Sequence, residues 1–416
     1  MRAPFAVAAL VAAALPFVTL PLLSSCAKAE EEQPDEDSST VISGDSGDAG
    51  PASDADAADA LAPCDASDPT CVSNVVSCAT TDFCPVPVGV DPRFVLTAVW
   101  GSSASDVWAV GSGGTVVHYD GVTWRPAATG IVETLHAVWG SGPADVWAVS
   151  SASVLLHTKG MQSGVIAFTK LPAAKPGAYG GRSHAVWGTS ASDVLVGGAV
   201  FDEIDLDTGN TVSGNYLERS ASGGDAGASG WKIFQGQDGA WTRATIRAIW
   251  GSAASDVWMS ADNSTEVPWQ RGMLLHRTPG DAGKPGVWTP VDSQSAHVLE
   301  SIWGSSAADV WAVGAIGTIR HYVTGAVRWA VTPSPSTADL HAVWGSGPND
   351  VWAVGDAGTI LHWNGTAWSM RTAAFPLGPK PNLNGVWGSG PNDVWIVGDG
   401  ITLHFTGPKA GTGGDR

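Results

Sequence analysis

A single phrase recurs seven times between residues 96 and 398: a Trp-Gly pair, an Asp six residues after the Trp, then Val and usually a second Trp. The leading residues are Trp100, Trp139, Trp187, Trp250, Trp303, Trp344 and Trp387, and the fullest copy reads LHAVWGSGPNDVWAVGDAGTILHWNGTAW from Leu340 to Trp368. Successive copies start 39, 48, 63, 53, 41 and 43 residues apart, the range in which one repeat makes one four-stranded propeller blade. Within a copy, Leu340 to Trp344, Asp350 to Val354 and Thr359 to Trp363 are short, rich in Val, Ile and Trp, and separated by Gly, Pro, Asn and Asp clusters. A fourth segment begins at Trp368. The first two strands are apolar on both faces, as sheets covered on either side by a neighbour must be. The sequence therefore reads as all-β, a seven-bladed propeller of four-stranded blades.

The last copy runs through Ile401 to Phe405 and then enters a Gly-rich tail without a fourth-strand Trp. A closed ring needs that strand. Phe83 lies about where a fourth-strand aromatic should fall, since Trp124, Trp288 and Trp329 each precede the next leading Trp by fifteen residues. The segment Asp82 to Val90 is therefore expected to complete the seventh blade, with Pro85 and Pro87 tolerated on an outer edge strand.

The repeated side chains invite structural roles first. Asp106, Asp145, Asp193, Asp256, Asp309, Asp350 and Asp393 follow a Gly-Ser-type turn, where a carboxylate accepts backbone N–H groups and fixes the loop. A catalytic group is needed once, a turn residue in every blade. The paired tryptophans are expected to bury ~150–250 Å² each between sheets, with Leu195 replacing the second Trp of copy three. His118, His157, His276, His321, His362 and His404, with Glu218 in the odd copy, recur on the third strand and read as packing and hydrogen-bonding groups.

One position does vary. Three residues before each leading Trp stand Thr97, His136, His184, Arg247, Glu300, His341 and Asn384. Near the start of the innermost strand they should ring one mouth of the channel, and they are the candidate ligand-binding residues. Two insertions, Phe201 to Gly214 in copy three and Ala261 to Gly272 in copy four, are expected to raise a wall beside Arg247, where loops on a rigid scaffold commonly carry binding residues. Asp202, Glu203, Asp205, Asp207 and Gly209 lack the full spacing of a calcium loop. No catalytic residue, metal site or cofactor is expected.

The N-terminus speaks to location. Arg2, an apolar run from Ala3 to Leu23, and Leu23-Ser24-Ser25-Cys26 resemble a bacterial lipoprotein signal. That resemblance implies cleavage before Cys26, lipidation of Cys26, and, with Ala27 next, sorting to the outer membrane, facing the periplasm or the cell surface. From Glu30 to Asp59 there are eleven acidic and no basic residues, a composition that cannot bury enough apolar surface to order itself. This tether inflates the net charge of −19. With no basic stripe anywhere, nucleic acid is not an expected partner. Cys64, Cys71, Cys78 and Cys84 are separated by six, six and five residues, which does not match zinc-site pairs. In an exported chain they should form two disulfides, with three connectivities open.

The stretch TAVWGSSASDVWAVGSGGTVVHYDGVTW, Thr97 to Trp124, resembles the tandem repeats of bacterial propeller lipoproteins grouped with BNR or Asp-box repeat proteins. The resemblance covers residues 94 to 406. Its turn signature is one residue short at Tyr119-Asp120-Gly121-Val122-Thr123-Trp124 and at Trp363-Asn364-Gly365-Thr366-Ala367-Trp368. Sialidases of that group hold a carboxylate with three arginines and use a Tyr nucleophile. One Arg in the mouth row and four Tyr in the whole chain speak against that activity.

The expected organisation is a signal peptide (1–25), an acidic tether (26–62), a Cys-rich segment with the closing strand (63–92), the propeller (93–407) and a tail (408–416). The favoured function is an envelope-anchored binding or scaffold propeller that recognises a protein or glycan at the channel mouth, touches the membrane only through its lipid, and is a monomer. An extracellular polysaccharide hydrolase or lyase, and a structural envelope component without a ligand, are the alternatives.

Overall fold

The computed structural model describes residues 67–151, 154–171, 182–204, 211–219, 231–233, 243–264, 269, 271–278, 286–325 and 328–408. The expectations for the signal, Cys26, the tether, Cys64, Asp205, Asp207 and Gly209 lie outside them. All belong to one compact unit, Asp59–Arg416.

Seven antiparallel four-stranded sheets form seven blades. Blade 6 is typical, with strands Leu340–Gly347, Asp350–Gly355, Ile360–Trp363 and Trp368–Met370. First strands contact the first strands of both neighbouring blades all the way round, the last touching the first. The closing strand is where the sequence places it: Cys84–Pro85 pairs with Ile401–Phe405, Cys84 opposite His404 and Pro85 opposite Leu403. The segment is fastened further by Cys71–Val72, which pairs with Gly378–Pro379 in the connection between blades 6 and 7. Asp82 adds its carboxylate, which accepts the Thr372 N–H at 2.9 Å and the Thr372 hydroxyl at 3.0 Å.

The Trp-Gly pair is a joint between blades. A Cβ on Gly345 would lie 2.6 Å from the Trp303 ring of the preceding blade and 2.6 Å from the Asp350 carbonyl oxygen. The same contact recurs at every interface, including Trp387 on Gly101, which joins blade 7 to blade 1. Only glycine leaves room for that indole. The second Trp behaves differently. Trp108, Trp147, Trp258, Trp311, Trp352 and Trp395 are at most 2% exposed, whereas the leading seven are half-buried, so the core expectation holds for one Trp of each pair. Each buried indole meets the fourth-strand aromatic of the next blade nearly edge-on. Trp311 meets Trp368 at 5.4 Å and 84°, and Trp352 meets Phe83 at 5.3 Å and 85°. Phe83, fully buried, thus does for blade 7 what Trp368 does for blade 6.

The repeated Asp has partners other than those expected from the turn. It is held chiefly by side chains, a Ser or Thr hydroxyl and a third-strand His, joined by the indole N–H at Asp106 and Asp145 and by the expected kind of backbone contact at Asp393, from Ser389. Asp309 Oδ2 accepts the Ser305 hydroxyl at 2.6 Å, and Asp309 Oδ1 lies 2.5 Å from His321 Nε2. His321 in turn stacks on Trp311, ring centroids 3.7 Å apart at 8°. Burial pushes the Asp309 carboxyl up, but His321 and Ser305 outweigh it and hold it below its ordinary value. Ser–Asp–His sets recur in blades 1, 2, 4, 6 and 7, which gives the third-strand histidines their expected packing role. Blade 3 departs from the pattern: Thr189 binds Asp193, Leu195 fills the Trp site, and Glu218 pairs with Arg277 of blade 4 at 3.1 Å.

Candidate functional site

Every first strand breaks its ladder at the variable position. In blade 1, Leu96 faces Gly111 and Ala98 faces Val110, so Thr97 is skipped. The skipped residues of the other blades are His136, His184, Arg247, Glu300, His341 and Asn384. Two residues opposite one is the geometry of a β-bulge, which re-aims a side chain away from the sheet. All seven are half-buried. A side chain released from the ladder is free to differ from blade to blade without disturbing strand pairing.

What these residues meet depends on the residue that follows each second strand. Asp356 and Asp399 stand there in blades 6 and 7, and Asp262 ends the second strand of blade 4 at the equivalent place. Asp356 Oδ1 is 2.7 Å from His341 Nε2. Asn384 donates to Asp399 at 3.0 Å and to the Leu96 carbonyl oxygen of blade 1 at 3.1 Å. Thr97 likewise reaches the Leu135 carbonyl oxygen of blade 2, at 2.6 Å. Around blades 6, 7 and 1 the row is thus tied to its own rim.

Blades 2 to 5 are different. His136 and His184 face each other, ring centroids 5.4 Å apart, with no acidic partner among the described residues, and His136 Nε2 is buried without a hydrogen bond. Burial, Arg247, His136 and Arg182 push the His184 pKa down to about 4. Burial and Arg182 lower that of His136. Both imidazoles are therefore neutral near pH 7, each with one donor and one acceptor. Next to them Arg247 donates to Asp262 at 3.1 Å and lies 3.9 Å from Glu300. Arg271, from the blade 4 insertion, donates to the same Asp262 oxygen at 3.0 Å. Burial pushes the Asp262 carboxyl up, but Arg271 and Arg247 hold it below its ordinary value. The result is two guanidiniums and two carboxylates beside two neutral imidazoles, a surface able to meet a polar ligand with fixed donors and acceptors.

The insertions extend the second and third strands, with boundaries other than those read from the sequence. In blade 3 the strands run on, Phe201 pairing with Gly214 and Ile204 with Thr211. In blade 4, Ala261 and Asp262 belong to the second strand and pair with Met273 and Gly272, which leaves the connection at residues 263–271. The Asx turns at Asp120 and Asn364 fall between third and fourth strands, where each side-chain oxygen accepts two backbone N–H groups. Among the described residues, no group of three or more His, Cys, Asp or Glu is arranged to hold a metal. Sequence reasoning missed Arg271, Asp262, Asp356 and Asp399. The three acids carry a signal, an Asp directly after an Ala or Gly at the end of the second strand.

No family model matches the chain, and no curated protein matches it. Among solved structures it is similar to YCF48 bound to D1 peptide, at 16% identity and a TM-score of 0.55, over 80% of this chain and 97% of that one. It is similar also to YCF48 from Cyanidioschyzon merolae, at 16% identity and a TM-score of 0.56, over 78% and 98%. At that identity the likeness is one of fold: this chain shares the seven-bladed propeller of YCF48.

Proposed function

We propose that this protein is a binding propeller, held at the cell envelope through Cys26, whose mouth over blades 2 to 5 takes a segment of a protein partner. The observation that carries this reading is the bulge row. The same backbone device in every blade presents different chemistry, and among the described residues blades 2 to 5 bring imidazole, guanidinium and carboxylate groups together along one stretch of the rim. A propeller of the same fold, YCF48, has been solved with a D1 peptide bound, which supports a peptide over a glycan. Replacing Arg247 and Glu300 together with Ala should abolish capture of the ligand from envelope extracts while leaving the melting temperature within about 2 °C, since both groups are half-exposed. If the double variant still captures whatever the parent captures, the mouth is not the site. Turnover of a polysaccharide by the parent protein would move the reading to a hydrolase or lyase. Anchoring is tested separately: Cys26→Ala should lose palmitate labelling and leave the membrane fraction, and a variant that stays membrane-bound would exclude the lipid anchor.

A further inference from the structure

Trp269 stands apart from every other tryptophan the structure describes. The rest are buried or half-buried at blade joints and sheet seams, while Trp269 is 78% exposed. It belongs to the 263–271 connection of blade 4, one of the two places where the chain departs from its repeat. The base of that connection is well fixed. Asn263 N–H donates to the Arg271 carbonyl oxygen at 3.1 Å, Ser264 N–H to Asp262 Oδ1 at 3.1 Å, and the Arg271 guanidinium to Asp262 at 3.0 Å. Two residues of chain span at most about 7 Å, so the backbone that carries the indole leaves the strand end within that distance of Arg271, whose guanidinium shares Asp262 with Arg247. An exposed indole costs solvation that nothing within the described fold recovers, and Trp and Arg are both enriched among the few residues that carry most of the energy of protein interfaces.

Resting on the peptide reading above, we propose that Trp269 is the anchor of that contact and its specificity-determining residue. It packs on one apolar side chain, aliphatic or aromatic, of an extended partner segment, while Arg247, Arg271, Glu300 and the two imidazoles meet the N–H and C=O groups of its backbone. The charge balance selects this partner. Two guanidiniums against two carboxylates give no net attraction for a highly charged strand, but they offer donors and acceptors in alternation to a neutral one. The indole supplies the apolar area that such polar contacts lack.

The test uses the full chain and phage-displayed random 12-residue peptides as probe. The enriched peptides should share an apolar residue. Trp269→Ala should weaken binding of the best peptide about 30-fold, Trp269→Phe only a few-fold, and both should melt as the parent does. If Trp269→Ala binds as the parent while the Arg247 and Glu300 double variant does not, the anchor is wrong and the mouth reading survives. If no peptide is enriched, or if neither variant loses binding, both fail. Enriched peptides dominated by charged residues without a shared apolar position would also overturn the anchor.

Discussion

Each first strand carries two bulges, one near either end, and the two have opposite histories. The lower one skips Ser102 in blade 1 and Ser305 in blade 5, and in all seven blades the skipped residue is Ser or Thr, aimed at the repeated Asp. The upper one skips Thr, His, His, Arg, Glu, His and Asn in turn. The backbone device is the same, so the difference lies in what waits for the released side chain. Below, an Asp and a His–Trp pair in ring contact stand in wait in six blades, stacked in blades 4, 5 and 7 and tilted in blades 1, 2 and 6, and only a small hydroxyl completes them. Above, the rim differs from blade to blade, and so does the residue. One bulge is held constant by packing; the other is open to be shaped by a ligand.

The comparison can be broken first at the closure on which both rims depend. Deleting residues 82–90 removes Phe83 and the closing strand together. The loss should exceed the ~3–5 kcal/mol of a single buried Phe→Ala change and should end the single cooperative melt. An unchanged melting curve would show that the ring closes without this segment. Next, Asp309→Ala leaves the His321 and Ser305 groups of one lower set without their acceptor, which should cost about 2–3 kcal/mol and leave ligand capture intact. A comparable loss of stability from Arg247→Ala would erase the distinction between the two rims, because only the lower one is assigned to stability.

The smallest effect is one of pH. His184, held at about 4 in the fold, takes up a proton near 6.5 when the chain unfolds. The unfolded state therefore binds more protons between those values. The contribution is fully present above pH 6.5 and is lost as pH falls towards 4. Burial pushes the carboxyls of Asp106, Asp309 and Asp393 of the lower rim up, but their hydrogen-bond partners hold them below their ordinary value, so they respond only at lower pH. Melting temperatures recorded across this window should fall for the parent and fall less for His184→Gln; equal slopes would refute the assignment.

The blade count, the strand order and the closing strand were legible in the sequence because repetition and turn residues encode them locally. Phe83 could be placed by counting residues alone. The mouth row was legible as a position, since one variable residue stood among fixed ones, and the nearness of His136 to His184 followed from blade order. Its bulged geometry was not, because a bulge is a relation between two strands and leaves no mark on either. For the same reason the side-chain partners of the repeated Asp were misjudged: His321 is twelve residues from Asp309, and only strand pairing brings them together. Arg271 was hidden in an insertion with no counterpart against which to read it.

The joint of Trp387 on Gly101 has the form of the other six. A contact of this kind refers only to the next blade and has a direction, indole forward and glycine back, with no member that begins or ends the series. The blades therefore have a cyclic order but no first term.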